Sequence, residues 1–321
     1  MKTLKVLCIC LLLPMLVQAQ YTGGQGSGWT AVQGIPPVFD CPALSANIGN
    51  ACDDGDVGTW NDVVMESCTC VGMPITIVLF PNIILEGPYN PVTGLMSDAL
   101  RANGLLPLEE PYTTLGYFHI GGGGDEQIIT SVLSITGPNA IVDWVVVELR
   151  DPDYNGFRVD SRSALLQRDG DVVDMDGISP VTFTTTPGTD FLSVKHRNHL
   201  GVMSAAPISF GSGITTMDFT AASTAAFGTA ARKLVDGRLV LWTGDATFNG
   251  QMKYTGAAND RDPILVRIGS ILPNNTTSGY FREDTNMDGI VKYTGTGNDR
   301  DPILVNVGST TPNSVRNGQV P

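Results

Sequence analysis

The chain has 321 residues, with 19 Lys plus Arg against 32 Asp plus Glu and a formal net charge of −13. That length suits two or three domains, or one large sandwich with appendages, and the acidity excludes phosphate backbones and anionic lipid as natural partners. With 37 Gly, 20 Pro, and 25 Asp against only 7 Glu, the composition favours turns, short strands and oxygen-ligand loops over a mostly helical enzyme.

Residues 1–20 place Lys2 and Lys5 before an apolar run from Val6 to Val17, and Ala19 closes a small-residue cleavage site. This reads as a cleaved secretory signal peptide. No later stretch reaches the ~18 apolar residues of a membrane span, so an exported chain without membrane insertion is expected, secreted or held at the cell surface. Cleavage removes two lysines, taking the net charge from −13 to −15, and leaves four cysteines. Residues 21–40 form a Gly-rich linker.

Cys41, Cys52, Cys68 and Cys70 all fall within residues 41–72. An even count in an exported chain predicts two disulfides. A bond between Cys68 and Cys70 is strained, so each reaches back to Cys41 or Cys52. Zinc is disfavoured because C-x-C lacks the usual paired knuckles. Asp53, Asp54, Asp56 and Asp62 surround Gly55 and either wrap a hard cation or serve as solvated turn residues. The pattern C-x-x-L-x-x-N-I-G-x-x-C-D-D-G-D resembles a short Cys-rich element of exported Bacteroidetes proteins, which implies an extracellular module.

Residues 73–240 alternate strand-like runs (ITIVLF, IVDWVVVEL, VTFTTT, DFLSVKH, MDFTA, RLVLW) with turn builders such as GPYNP, DPDYNG and TPGTD. This predicts a mainly β fold, an antiparallel β-sandwich, with one helix over Gly94–Leu106. The stretch from Asp169 resembles the transthyretin-like carboxypeptidase-regulatory and collagen-adhesin B modules, which implies a transthyretin/Ig-like sandwich. Asp169, Asp171, Asp174 and Asp176 form an acidic cluster that is either a calcium loop or solvated. His196 and His199, three apart on one expected strand, point to opposite faces and cannot chelate together. His196 reads as a core histidine. His119 precedes Gly121–Gly124, but no Lys-Ser/Thr follows, so a turn is expected there rather than a phosphate loop. No G-x-S-x-G, H-E-x-x-H or recognisable acid pair appears, so no catalytic residue and no enzyme are expected.

Residues 245–275 and 284–314 align at a shift of 39 with 18 of 31 positions identical, an internal duplication. The second copy opens with Asp284, Asn286, Asp288 and Gly289, the start of an EF-hand-type loop with oxygen ligands at positions 1, 3 and 5 and Gly for the turn; position 7 offers the Ile290 carbonyl. Gly295 stands at position 12, so a stretched loop closes through Asp299 or Asp301. Asp301 before Pro302 predicts an N-cap, and the helix runs to Gly308. The first copy offers Asp245, Thr247, Asn249 and Gly250, then Asp260 and Asp262, with less ligand charge. Helix-capping Asx-turns are the plainer alternative.

A duplicated loop-plus-helix closing an exported chain resembles the type I dockerin over residues 241–321. The resemblance implies one calcium per copy, mutual packing of the copies, and helices that dock a cohesin receptor. The order from Cys-rich segment to KYTG-x-x-NDRDPIL repeats also resembles an uncharacterised exported Bacteroidetes family, some members of which carry a hemagglutinin-like label. The expected function is that of a secreted, non-enzymatic calcium-binding protein that adheres or scaffolds, with a protein receptor, a surface glycan or further copies of itself as partner. The alternative is a dockerin-bearing, carbohydrate-reading accessory of a polysaccharide-degrading assembly.

Overall fold

The computed structural model describes residues 38–185, 187–211 and 213–321. The signal peptide read over 1–20, and all but the end of the 21–40 linker, lie outside the described residues. Among the described residues the protein is mainly β, with several antiparallel sheets and three short α-helices.

At the N-terminal end, covalent bonds brace a hairpin that buries little apolar surface. Strand β1 (Thr59–Val64) pairs antiparallel with β2 (Cys70–Pro74) while Trp60, Val71 and Met73 stay exposed. Cys41 bonds Cys68 and Cys52 bonds Cys70, so each residue of the C-x-C pair does reach back.

Next come β3 (Ile77–Asn82) and the short pair β4 (Tyr89–Asn90) and β5 (Leu95–Met96). The helix expected over Gly94–Leu106 contracts to α1 (Ala99–Ala102). Its first turn is lost because Leu95 and Met96 pair with Asn90 and Tyr89, and the Met96 N–H donates to the Arg168 carbonyl. Gly104, at φ +67°, ends it.

The largest sheet is built from β6 (Ile141–Arg150), β7 (Arg158–Gln167) and β8 (Val172–Val173), then β9 (Val181–Phe183) leaves for another sheet before β10 (Thr189–His196), β11 (His199–Met203) and β12 (Ile208–Ser209) return. Its strand order is β11-β10-β6-β7-β8, all antiparallel, with β12 also on β10. A three-stranded sheet, β13-β3-β9, uses β13 (Ile214–Asp218) parallel to β3. Parallel pairing needs a long crossover, and more than a hundred residues separate these two strands. One apolar core joins both sheets through residues such as Leu79, Val145, Leu165, Phe183 and Leu192. Every residue of β6 is buried, because both faces of this central strand are covered, so IVDWVVVEL runs apolar instead of alternating. The hairpin β14 (Lys233–Val235) and β15 (Arg238–Val240) then leads into the repeats.

The two copies do not fold as separate units. The first supplies β16 (Gln251–Lys253), α2 (Arg261–Arg267) and β17 (Thr276–Ser278), and the second β18 (Ile290–Lys292), α3 (Arg300–Gly308) and β19 (Val315–Asn317). Strand β17 pairs with β18, and β19 with β16, so each copy's trailing strand completes the other copy's loop. The same exchange appears in side chains: Thr255 Oγ1 donates to the Pro312 carbonyl at 3.2 Å, and Thr294 Oγ1 to the Pro273 carbonyl at 3.1 Å. Met252, Ile264 and Ile268 pack with their counterparts Val291, Ile303 and Val307 in a second core that also takes in Leu200 of β11. No linker separates the repeats from the sheets, since Leu241 bridges Leu85 and Thr243 bridges His199.

Candidate metal centre

Each repeat folds its loop around two buried carboxylates. In the first, the Asp245 carboxylate accepts the N–H groups of Asn249 (3.0 Å) and Gly250 (2.8 Å), while Asp260 accepts those of Thr247 (3.0 Å) and Lys253 (2.7 Å). The second reproduces this: Asp284 accepts from Asp288 (3.2 Å) and Gly289 (2.8 Å), and Asp299 from Asn286 (3.3 Å) and Lys292 (2.7 Å). Glycine is needed at 250 and 289 because both sit in the left-handed region, at φ +77° and +86°. The loops turn there so that the amides face the first carboxylate.

The two carboxylates of a loop are close enough to feel each other. Thr247 Oγ1 lies 2.8 Å from Asp260 Oδ1 and 3.4 Å from Asp245 Oδ1. Burial, and then the Asp260 charge, push Asp245 up to about 7; burial pushes Asp260 up to about 6. In the second loop burial raises Asp284 to about 6, and burial followed by the Asp284 charge raises Asp299 to about 8. Among the described residues, no Lys, Arg or His side-chain nitrogen lies within 4.0 Å of any of these four carboxylates.

Of the two closing residues the sequence allows, the structure brings Asp299 to Asp284, and Asp260 to Asp245. Asp301 and Asp262 turn away, each 54 % exposed and paired with the preceding Arg300 or Arg261. The helix boundary moves with them. Helix α3 starts at Arg300 with Asp299 at the N-cap, but the capping oxygen belongs to Asn298, whose Oδ1 accepts the Asp301 N–H at 2.9 Å. Asn259 does the same for Asp262 at 2.8 Å. An Asn three residues before an Asp, repeated in both copies, was the available signal. Asn286 Oδ1 accepts the Asp288 N–H, Asp288 Oδ1 accepts the Ile290 N–H, and Asn249 Oδ1 accepts the Gln251 N–H. Residues able to hold a hard cation are therefore Asp245, Thr247, Asn249 and Asp260 in one loop, and Asp284, Asn286, Asp288 and Asp299 in the other. All donors are oxygen, and neither loop contains Cys or His.

The hairpin between β10 and β11 wedges between the loops, a feature the sequence reading missed. The Asn198 carbonyl accepts the N–H groups of Gly244 (3.0 Å) and Asp245 (3.1 Å), and its side chain donates to the Asp284 carbonyl. Buried Arg197 donates to Asp143 Oδ2 at 2.9 Å and to the Phe281 carbonyl, with its guanidinium 4.2 Å from the Tyr280 ring centre. Burial opposes the Asp143 charge, but Arg197 and His196 outweigh it and hold this carboxyl at about 2.

The two histidines flank this turn, and the expectation that they face apart is overturned. His196 and His199 are cross-strand partners closing a two-residue hairpin, and their Nδ1 atoms lie 3.1 Å apart. Strand alternation does not carry across a turn. His196 Nε2 meets Asp143 Oδ2 at 3.1 Å and His199 Nε2 accepts the Gly87 N–H at 3.1 Å. Every imidazole nitrogen is engaged, so both rings serve structure. His119 is also inside, stacked edge-on against Tyr117.

The other acidic clusters divide. Among the described residues, Asp53, Asp54 and Asp62 bring three carboxylate oxygens within 4.8 Å of one another; Asp56 is not part of the group. Asp171, Asp174 and Asp176 instead spend their oxygens on Asn82, Thr182 and Ser179. Comparison with protein-family models, curated proteins and solved structures returns no match for this chain.

Proposed function

We propose that the protein is a secreted, non-enzymatic calcium-binding protein with an adhesive or scaffolding role at or outside the cell surface, its two sheets forming a transthyretin/Ig-like sandwich that carries a calcium-stapled repeat module. The observation that carries this reading is the pair of buried carboxylates set at equivalent positions in both copies, with no cationic side chain within ion-pair distance of them among the described residues. Burying like charges together is costly unless a proton or a cation joins them. All-oxygen loops with Asp, Asn and backbone groups suit a hard divalent ion. Asp245 with Asp260 would hold one calcium, and Asp284 with Asp288 and Asp299 the other. Bound there, the ion would supply charge neutralisation that fixes the exchanged strands.

Export is supported by the leader-like N-terminus and by the two disulfides. A non-catalytic role is supported by the full engagement of the buried histidines. Calcium titration of the full chain with Asp260→Asn and Asp299→Asn tests the reading, with one site lost in each variant. A second reading, a dockerin-type accessory, is favoured by Val266 and Val305, equivalent helix positions left 66 % and 56 % exposed. Binding of a cohesin to the full chain, lost on Val266→Asp with Val305→Asp, tests it.

A further inference from the structure

Away from the loops, three side chains remote in sequence meet where α3 packs on the β body. Lys233 of β14 donates to Asn306 Oδ1 at 2.8 Å and also to Glu86 Oε1. Asn306 Nδ2 donates to Glu86 Oε2 at 2.7 Å and to the Thr243 carbonyl at 2.9 Å. Asn306 is 2 % exposed, and the Lys233 and Glu86 side chains keep 25 % and 17 % of their surface. The Trp242 ring centre lies 5.4 Å from the ammonium. One carboxylate thus touches both an amine and the departing nitrogen of the carboxamide that the amine faces.

We propose that Lys233 and Asn306 form an intramolecular amide cross-link, with Glu86 as the proton carrier. The Lys233 ammonium passes a proton to Glu86, and the freed amine attacks Asn306 Cγ. Glu86 then delivers a proton to Nδ2 as the Cγ–Nδ2 bond breaks, and the ammonia released takes up the second proton from the attacking lysine nitrogen. Lysine ammonium plus carboxamide become a secondary amide plus ammonium ion, so atoms and charge balance and no oxidant or cofactor is required. A carboxamide is a poor electrophile in solution, but holding the reactants in contact supplies effective molarities on the order of 10⁵–10⁸ M. A carboxylate within hydrogen-bond reach of both nitrogens meets the geometric demand on a general acid–base. Thr243 and Glu86 fix the carboxamide so that Nδ2 faces the proton source and Oδ1 faces the lysine. The link would fasten the second repeat to β14 whether or not calcium is bound.

The test is the intact mass of the purified full chain, denatured and reduced, after incubation at neutral pH with calcium. The expected result is a mass one ammonia below that of the sequence, with a digest fragment joining the peptides of Lys233 and Asn306. Lys233→Arg, which keeps the ion pair with Glu86 but offers no lysine amine, should show the full mass, as should Glu86→Gln. Wild-type chain at full mass, with Lys233 and Asn306 recovered in separate unmodified peptides, overturns the proposal. So does loss of ammonia that persists in Lys233→Arg.

Discussion

The side chain of Asn198, at the tip of the β10–β11 hairpin, donates a 2.6 Å hydrogen bond to the backbone carbonyl of Asp284, the first residue of the second repeat loop. The Asn198 carbonyl meanwhile receives the amides that open the first loop. A single buried residue of the β body therefore holds both loops in register. Asn198→Ala leaves the Asp284 carbonyl without this donor, a loss of about 1–3 kcal/mol. Thermal melts with and without calcium should show destabilisation in both, and weaker calcium binding at both loops. Weakening at the second loop alone would show that the hairpin does not couple them.

The loops should also differ in strength. The second has Asp284, Asp288 and Asp299, where the first has only Asp245 and Asp260, since neutral Asn249 occupies the place of Asp288. Fewer carboxylates offset less of the ion's dehydration. Asp288→Ala should lower calcium affinity and stability more than Asn249→Ala, measured by titration and by melts at fixed free calcium. The opposite order would put the stronger site in the first loop.

Asp299 and Asp301 are separated by one residue, yet only Asp299 is buried beside Asp284. Asp299→Asn should abolish the second site, whereas Asp301→Asn, half-exposed and paired with Arg300, should change calcium affinity by less than about twofold. Equal damage from both would mean that the loop closes through Asp301.

Burial lowers His196 and lowers His199 well below the ordinary range. Between those folded values and the unfolded value of about 6.5, the unfolded chain binds more protons. Stability is thus full above about pH 6.5 and falls with pH below it, by up to about 1.4 kcal/mol per unit for each histidine. Calcium must be saturating in this measurement, because the four raised loop carboxylates act with the opposite sign when calcium-free: they favour the fold in acid and lose that contribution as pH rises through about 6 to 8. Urea unfolding should show the acid loss, and His199→Gln, which keeps an acceptor for the Gly87 amide, should flatten it. An unchanged slope would contradict this assignment.

Both disulfides should be present in the mature protein, and thiol labelling under denaturing, non-reducing conditions should find no free cysteine. Replacing Cys52 and Cys70 by Ser opens a closure of 18 residues and should cost about 3 kcal/mol by chain entropy. Labelling of even two thiols in the wild type would contradict the pairing.

Local signals carried much of the fold. Strand-forming runs such as ITIVLF and IVDWVVVEL became β3 and β6, and the D-x-N-x-D-G opening with its shifted copy located both loops. What the sequence hid was long-range pairing. The pairing of β19 with β16 depends on contacts across about 62 to 66 residues, for which no periodic pattern gives a sign. The His196–His199 contact depended on whether the chain turned at Arg197-Asn198, where no Gly or Pro marks the hairpin. The choice between Asp299 and Asp301 was likewise tertiary, because only the folded loop shows which carboxylate faces Asp284.

The most direct measurement is isothermal titration of calcium into the chelator-treated full chain, paired with melts across free calcium. The account predicts two binding events and a rise in stability, roughly 2.7 kcal/mol for each site at a hundredfold excess of free calcium over its dissociation constant, with one event missing in Asp299→Asn. Absence of both heat and thermal shift in the wild type would contradict it, leaving the paired carboxylates as protonated turn residues.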